Sequence, residues 1–157
     1  MKKDSSLPQL HKQISDWWEA HPFTWGIAGE SKDHVGRVDA SQMDLRYFDE
    51  IERKFRKHTR GGAQEDGAPL FSKLISYDWV NGKRVLDIAV GPGFSMVAFI
   101  QGGGEVTGID ITDFSVAEAK RNLAVRGLSG TVAKMDAQRL SFRDDSFDFV
   151  NAWGCLM

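Results

Sequence analysis

Apolar residues recur with helical spacing in two segments of the N-terminal part of the chain. The first predicted helix covers residues 7–20 and ends before Pro22, because the residue before a proline disfavours helical backbone. The second is predicted to begin at Ser41, with Asp44 completing a capping-box-like pair, and to end near His58. Their apolar faces consist of Leu10, Ile14, Trp17 and Trp18 in the first helix, and of Leu45, Phe48, Ile51 and Phe55 in the second. Each face is expected to be covered by another element.

The clearest interruption of this pattern is the stretch GGAQEDGAP at residues 61–69. Adjacent glycines, charged residues and a proline bury little and resist regular structure, so the stretch predicts a linker. The chain is therefore divided into an N-terminal helical segment at 1–60, the linker, and an α/β unit at 70–157. A short helix is expected after Pro69, followed by a turn at 81–82.

From residue 84 onward, short buried runs replace the helical period. They cover residues 85–90, 105–110, 130–136 and 147–153. Because helix-length segments separate the first three runs, the pattern predicts parallel strands in βαβ units. The helix between the second and third runs is expected to start at a capping box of Ser115 and Glu118 and to stop at Gly127. The fold class is therefore α/β, a doubly wound, mostly parallel, Rossmann-like sheet preceded by an N-terminal helical segment.

Composition narrows the function classes. The 157 residues are 41% hydrophobic and 27% charged, which is typical of one soluble globular domain with a short appendage. With 20 basic and 22 acidic residues, the chain has no strong field to attract nucleic acid or anionic lipid. Cys155 is the only cysteine, which predicts a reducing, cytoplasmic location. No membrane span is expected, and the histidines have no metal-ligand spacing.

Candidate chemistry begins where the first predicted strand gives way to a helix. The stretch Asp87-Ile-Ala-Val-Gly91-Pro-Gly93 has little side-chain bulk, so a ligand can approach its main chain beside the helix N-terminus. Alone, this Gly-x-Gly equally fits a tight structural turn. The second strand ends in Asp110, at the distance where doubly wound folds use an acidic residue to accept hydrogen bonds from a ribose. The combination favours a nucleoside site.

Two cofactor classes share that geometry, the nicotinamide dinucleotides and S-adenosylmethionine. A dinucleotide fingerprint requires a third small residue at position 96, and this chain has Met96. Asp87 would also direct a negative charge toward phosphates. A carboxylate there suits a ligand that carries an ammonium and a sulfonium cation. The residues therefore favour S-adenosylmethionine.

Three stretches resemble motifs of the class I S-adenosylmethionine-dependent methyltransferases, in particular the type 11 methyltransferase group. They are GKRVLDIAVGPG (82–93), VTGIDIT (106–112) and AKMDAQRLSFRDDSFDFVNAWGCL (133–156). The third is the most specific, because a dinucleotide fold has no reason to carry its Asp-Ala pair followed by Asp-Ser-Phe-Asp before a strand. The resemblance covers residues 82–157.

The resemblance implies a set of residues that bind S-adenosylmethionine. Those around the methionine moiety are Asp87 and the backbone of Gly91, Pro92 and Gly93. Those around the nucleoside are Asp110 for the ribose hydroxyls, Ile111 against adenine, and Asp136 with the main chain of Ala137 for the adenine amino group. Ala89 stands where the family usually has glycine, so its methyl group is expected to face the cofactor and weaken binding.

The resemblance further implies an enzyme that transfers a methyl group to an acceptor. The leaving group of a sulfonium is already activated, so alignment of donor and acceptor suffices and no catalytic residue is assigned. Residues 151–154 differ from the Asn-Pro-Pro-aromatic motif of enzymes that methylate amino groups of nucleic acids or proteins, which favours a small-molecule acceptor. Trp17, Trp18, Phe23 and Trp25 could form a substrate lid, although an aromatic stripe at helical spacing is more typical of a core.

The family's sheet has seven strands in the order 3-2-1-4-5-7-6, so this chain is expected to contain the first four in the order 3-2-1-4. The fourth, at 147–153, would be an apolar edge, which predicts self-association through it. It also predicts that the chain is the N-terminal part of a longer enzyme or the product of a truncated reading frame. The alternative is a non-catalytic nucleotide-binding or interaction module that pairs this edge with a partner. The mass of the intact polypeptide distinguishes the two, since a longer product favours the enzyme.

Overall fold

The computed structural model describes residues 7–24, 36–58 and 68–155. Five α-helices lie in these ranges: α1 (Leu7–Ala20), α2 (Leu45–His58), α3 (Tyr77–Val80), α4 (Phe94–Gln101) and α5 (Asp113–Val125). A 3-10 turn covers Ala40–Gln42. The strands are β1 (Arg84–Ile88), β2 (Glu105–Asp110), β3 (Thr131–Lys134) and β4 (Phe149–Ala152).

The four strands form one parallel sheet in the order β3-β2-β1-β4, which confirms the predicted fold class and strand order. In the register of the sheet, Ile88 of β1 lies between Ile109 of β2 and Ala152 of β4. The chain winds outward from β1 to β3 and then returns to place β4 on the other side of β1. The order of the strands therefore reverses beside β1, and open α/β sheets bind ligands outside the carboxyl ends of the strands at such a point.

Helices α4 and α5 cover one face of the sheet. The core on that face includes Val85, Met96, Phe99, Val106, Ala119 and Leu123. The opposite face buries Leu86, Ile88 and Ile109 against Met135, Phe142 and Phe147. Neighbouring residues of β1 thus point to opposite faces, as the period of a strand requires.

Helix α2 packs against α4 and α5 through the face predicted from the sequence. Phe48 and Ile51 are fully buried there, together with Phe71, Phe94 and Phe114. Leu45, at the start of the same predicted face, is exposed. The N-terminal helical segment therefore shares a core with the sheet domain through α2.

Helix α1 docks through the face that the apolar pattern assigned to solvent. Its predicted core residues Leu10, Ile14, Trp17 and Trp18 are 40–48% exposed. Half-buried positions recur once per turn on another face, at His11, Ser15 and Glu19. The prediction that the apolar face of this helix is covered is wrong, because polar side chains form the contacts between α1 and the domain.

Several helix ends differ from the predicted ones. Asp39 caps the 3-10 turn through the backbone and hydroxyl of Ser41, and Asp44 accepts from the amide of Tyr47, so α2 begins at Leu45. Residues 70–74 form turns, and the helix expected directly after Pro69 begins only at Tyr77. The predicted linker at 61–69 lies, up to residue 67, outside the described residues, as does Trp25 of the predicted lid.

Helix α5 has a different N-terminal cap and the predicted C-terminal end. The Thr112 hydroxyl accepts from the amide of Ser115, whereas Glu118 is buried, so the predicted capping box of Ser115 and Glu118 is wrong. At the other end Gly127 has a φ of +66°, and the amide of Leu128 donates to the carbonyl of Leu123. This is the Schellman arrangement, in which the residue after the helix takes the left-handed conformation that glycine favours.

Candidate functional site

The loop between β1 and α4 contains three left-handed residues. The φ angles are +58° at Ala89, +48° at Gly91 and +80° at Gly93. A side chain at Gly91 would meet nothing within 4 Å, so its backbone faces open space. A side chain at Gly93 would press on Ala119 of α5 at 3.2 Å. The two glycines thus have different roles, since Gly91 leaves the main chain accessible and Gly93 permits helix packing.

Asp110 lies beside this loop at the carboxyl end of β2. One carboxylate oxygen accepts a hydrogen bond from the Gly91 amide at 3.2 Å. The other accepts from the amide and the hydroxyl of Thr112, at 3.0 and 2.9 Å. The structure therefore brings together the two features from which the sequence predicted a nucleoside site, and it fixes the orientation of the Asp110 carboxylate.

Asp87 is buried behind the loop and does not line an open surface. Its side chain is 1% exposed, and its oxygens accept from the Ser95 hydroxyl at 2.5 Å and the Asn151 amide at 2.7 Å. Burial raises the pKa of Asp87 to about 6, although both hydrogen bonds lower it. The expected direct contact of Asp87 with the methionine moiety is not available in this arrangement, in which the carboxylate joins β1 to α4 and β4.

Met96 is also buried, and it faces the sheet. A side chain at Gly108 of β2 would collide with the sulfur of Met96. Met96 stands where the dinucleotide fingerprint has a small residue, and the absence of a side chain at Gly108 in the strand below α4 leaves room for it. Met96 sets the packing of α4 on β2 and does not itself reach the loop surface.

The nucleoside half of the predicted site is contacted by α1. One oxygen of Asp136 lies 3.2 Å from Nδ1 of His11, and the other accepts from the Gln138 amide at 2.9 Å. The Ser15 hydroxyl donates to the carbonyl of Ile111 at 3.2 Å. Ala137, beside Asp136, is exposed. Of the three residues predicted around adenine, Asp136 through its side chain and Ile111 through its carbonyl thus have partners in the N-terminal helix.

Glu19 completes the contact between α1 and this edge of the sheet. It accepts from the Phe114 amide at 3.1 Å, in the first turn of α5, and from Arg37 at 3.0 Å. Partial burial raises the pKa of Glu19, but the hydrogen bonds from Phe114 and Arg37 together lower it by more. The pKa therefore lies below its usual value. The helix dipole favours a negatively charged carboxylate, such as that of Glu19, at the N-terminus of α5.

Sequence reasoning missed the roles of His11, Ser15 and Glu19. Their spacing of four residues is a signal of a shared helix face, but the same spacing is equally typical of a solvated face. Ser95 and Asn151, the partners of Asp87, gave no separate signal.

A cavity of about 400 Å³ lies against the start of α2. Its lining includes Arg37, Arg46, Tyr47 and Glu50, and none of the predicted cofactor residues. The described residues contain no group of three or more His, Cys, Asp or Glu side chains placed to hold a metal ion. Among the described helices, none has the length and apolar character needed to cross a membrane.

Four parallel strands with a glycine loop after β1 and an acidic residue ending β2 define a Rossmann-like nucleotide-binding fold. Residues 85–157, slightly less than half of the chain, match the family model described as a methyltransferase domain. This match supports the class I S-adenosylmethionine-dependent methyltransferase domain that the motifs predicted.

Individual curated relatives match parts of the chain. The ribosomal protein L11 methyltransferase of Fusobacterium nucleatum is 43% identical over 61 residues, which are 38% of this chain and 20% of that protein. An uncharacterized protein of Mycobacterium tuberculosis is 34% identical over 89 residues, which are 56% of this chain and 32% of that protein. The chain thus spans between a fifth and a third of the length of these curated relatives.

Two solved structures are also similar over part of their length. The YcgJ protein from Bacillus subtilis is 35% identical, with a TM-score of 0.42 over 43% of this chain and 30% of that one. An S-adenosylmethionine-dependent methyltransferase from Mesorhizobium loti is 27% identical, with a TM-score of 0.44 over 54% of this chain and 39% of that one.

Proposed function

We propose that this chain binds S-adenosylmethionine at the carboxyl ends of β1, β2 and β3 and takes part in methyl transfer to a small-molecule acceptor. The observation that carries the proposal is the hydrogen bond between the Asp110 carboxylate and the Gly91 amide, beside a stretch of main chain that faces open space. A fixed carboxylate next to accessible backbone suits a ribose joined to a charged amino-acid moiety.

The residues fit this cofactor in part. Asp110 would accept hydrogen bonds from the ribose hydroxyls, and the backbone from Gly91 to Gly93 would hold the methionine moiety. Ile111, Asp136 and Ala137 would surround adenine. The Ala89 side chain is exposed on the same loop, which agrees with its expected position toward the cofactor.

Asp87 would act on the cofactor from behind the loop. Both of its oxygens accept hydrogen bonds, from Ser95 and Asn151, and these bonds favour the ionised carboxylate although burial raises its pKa to about 6. A negative charge in a buried, partly desolvated position stabilises a nearby cation more strongly than the same charge in water. Asp87 would therefore favour a ligand that carries ammonium and sulfonium groups, without touching it.

When bound, S-adenosylmethionine supplies a methyl group on a sulfonium. The leaving group is the neutral thioether, which needs no further activation. The role of this chain is then to bind the donor in one orientation and to exclude water from it. No described side chain is required as a base for this step.

Two features support a small-molecule acceptor. Residues 151–154 lack the Asn-Pro-Pro-aromatic motif, and the nearly balanced charge of the chain offers little attraction for nucleic acid. The ribosomal protein L11 methyltransferase is named for a protein substrate, but its similarity covers 20% of its length. The single cysteine supports a cytoplasmic location.

Calorimetry with S-adenosylhomocysteine, S-adenosylmethionine and NAD tests the cofactor. We expect both adenosyl ligands to bind, whereas tighter binding of NAD would contradict the proposal. Transfer of a labelled methyl group should then be measured separately with small molecules and with proteins of a cell extract. Label in the protein fraction alone would contradict the proposed acceptor.

A further inference from the structure

Helix α1 lies across the nucleoside half of the proposed site and contacts it once per turn. His11 lies 3.2 Å from Asp136, Ser15 donates to the carbonyl of Ile111 at 3.2 Å, and Glu19 accepts from the start of α5. The contacted residues come from the segments that follow β2 and β3. The helix thus bridges the two segments between which adenine is proposed to bind.

Both carboxylate oxygens of Asp136 are engaged in this arrangement. One lies beside His11 and the other accepts from the Gln138 amide. The hydrogen bond from the Gln138 amide is local, because it joins residues two positions apart in the same turn. The contact with His11 comes from a different part of the chain and is the one that an adenine amino group would replace.

The attachment of α1 is polar and shallow. From residue 9 to residue 20, where the structure describes its side chains, α1 has three half-buried positions and none that is fully buried. Its large apolar side chains, Leu10, Ile14, Trp17 and Trp18, are exposed. Because apolar burial is the main stabilising contribution to docking of a helix, α1 is held less firmly than α2.

We propose that α1 occupies the nucleoside site in the absence of ligand, and that S-adenosylmethionine must displace it to bind, because His11 and the adenine amino group require the same carboxylate. This inference rests on the proposed function. Helix α1 thus competes with the cofactor from within the same chain. The apparent affinity for the cofactor is the intrinsic affinity multiplied by the fraction of molecules in which α1 is not docked.

The affinity test compares two neighbouring residues of α1. His11→Ala removes the contact with Asp136 and is expected to bind S-adenosylhomocysteine about 2- to 10-fold more tightly, the effect of losing one partly exposed polar contact that competes with the ligand. Lys12→Ala is the matched control, because Lys12 is exposed and pairs with Asp16 of the same helix. Unchanged or weaker binding by His11→Ala, with Lys12→Ala equal to the unmodified chain, would overturn the proposal.

Hydrogen exchange of residues 7–20 gives a readout that does not depend on affinity. We expect the amides of α1 to exchange faster when S-adenosylhomocysteine is bound, and faster in ligand-free His11→Ala than in the ligand-free unmodified chain. Slower exchange on binding would show that α1 closes over the nucleoside, which would overturn the competition.

The two proposals fail in different ways. If S-adenosylhomocysteine binds and exchange of α1 does not change, displacement is wrong while the proposed function stands. If neither the unmodified chain nor His11→Ala binds it, the proposed function is wrong, and this inference falls with it.

Discussion

The hydroxyl group of Tyr47 in α2 donates a hydrogen bond to the carboxylate of Glu118 in α5, and the two oxygens lie 2.6 Å apart. Both side chains are buried. Burial raises the pKa of Glu118 to about 7, the hydrogen bond from Tyr47 lowers it, and the charge of Asp110 raises it. The pair joins the N-terminal helical segment to the helix that follows the proposed ribose-binding residue.

This pair predicts a pH-dependent stability that Glu118→Gln removes. The pKa of Glu118 is raised above 4.5 in the folded chain, so its contribution to stability is complete below about pH 4.5 and is lost as the pH rises through about 7. Glutamine accepts the same hydrogen bond without ionising. At about 1.4 kcal/mol per pKa unit, Glu118→Gln should be more stable than the unmodified chain at pH 8 by up to about 3 kcal/mol.

Urea denaturation at pH 5 and pH 8 measures this effect. The advantage of Glu118→Gln should shrink strongly at pH 5, where the carboxyl of the unmodified chain is largely protonated. Glu105→Gln, at an exposed position of β2, is the control and should change little at either pH. A lower stability of Glu118→Gln at pH 8 would show that the charged carboxylate stabilises the fold.

Ala89→Gly is predicted to raise stability. The sequence pattern put residues 85–90 in a strand, where glycine would be unfavourable, but β1 ends at Ile88 and Ala89 has a φ of +58°. A left-handed conformation costs roughly 1–2 kcal/mol for a residue with a side chain and little for glycine. We therefore expect a gain of about 1 kcal/mol after the greater freedom of unfolded glycine is subtracted.

Thermal denaturation and calorimetry together test this prediction. Affinity for S-adenosylhomocysteine should rise or stay unchanged, because a methyl group on the loop surface is removed. Ala98→Gly, in the interior of α4, is the opposite control and should lower stability by roughly 1 kcal/mol. A fall in affinity of a fully folded Ala89→Gly would show that this methyl group supports the site.

The strands were predictable because each lies in a short run rich in β-forming residues, a signal that does not depend on its partner, although only β1 and β2 are mostly buried. The docking of α1 was not, because its apolar face gives the stronger sequence signal, whereas its contacts are polar and made to residues about a hundred positions away. The same reason applies to Asp87. Its position before the loop was evident, but its burial depends on Ser95 and Asn151, which the fold brings from α4 and β4.

Asp110→Asn is predicted to weaken binding of S-adenosylhomocysteine about 10- to 100-fold, because hydrogen bonds to a charged acceptor contribute roughly 1.5–3 kcal/mol. Asparagine keeps the shape of the side chain and one carbonyl acceptor for Thr112. Asp113→Asn, whose carboxylate is exposed and paired with Lys134, is the control for loss of a nearby charge. Equal affinities of Asp110→Asn and the unmodified chain would show that the ribose binds elsewhere.

Strand β4 has a free edge within the part of the chain that the structure describes. It pairs with β1 on one side only, and Val150 in its middle is 52% exposed. An open edge with apolar side chains is a template for pairing with another strand. Strand β3 forms the opposite edge, but Thr131 at its start is polar. The two edges therefore differ in their tendency to pair.

We predict that the 157-residue chain self-associates through β4, as its apolar edge position suggests. Size-exclusion chromatography with light scattering should give a mass above 17.5 kDa that increases with protein concentration. Val150→Lys should shift the chain toward the monomer, since a charged side chain on an edge strand opposes pairing with another copy. Thr131→Lys places the same charge on the other edge and should leave the association unchanged. A monomer at all concentrations, or equal effects of the two lysines, would show that β4 is not the contact.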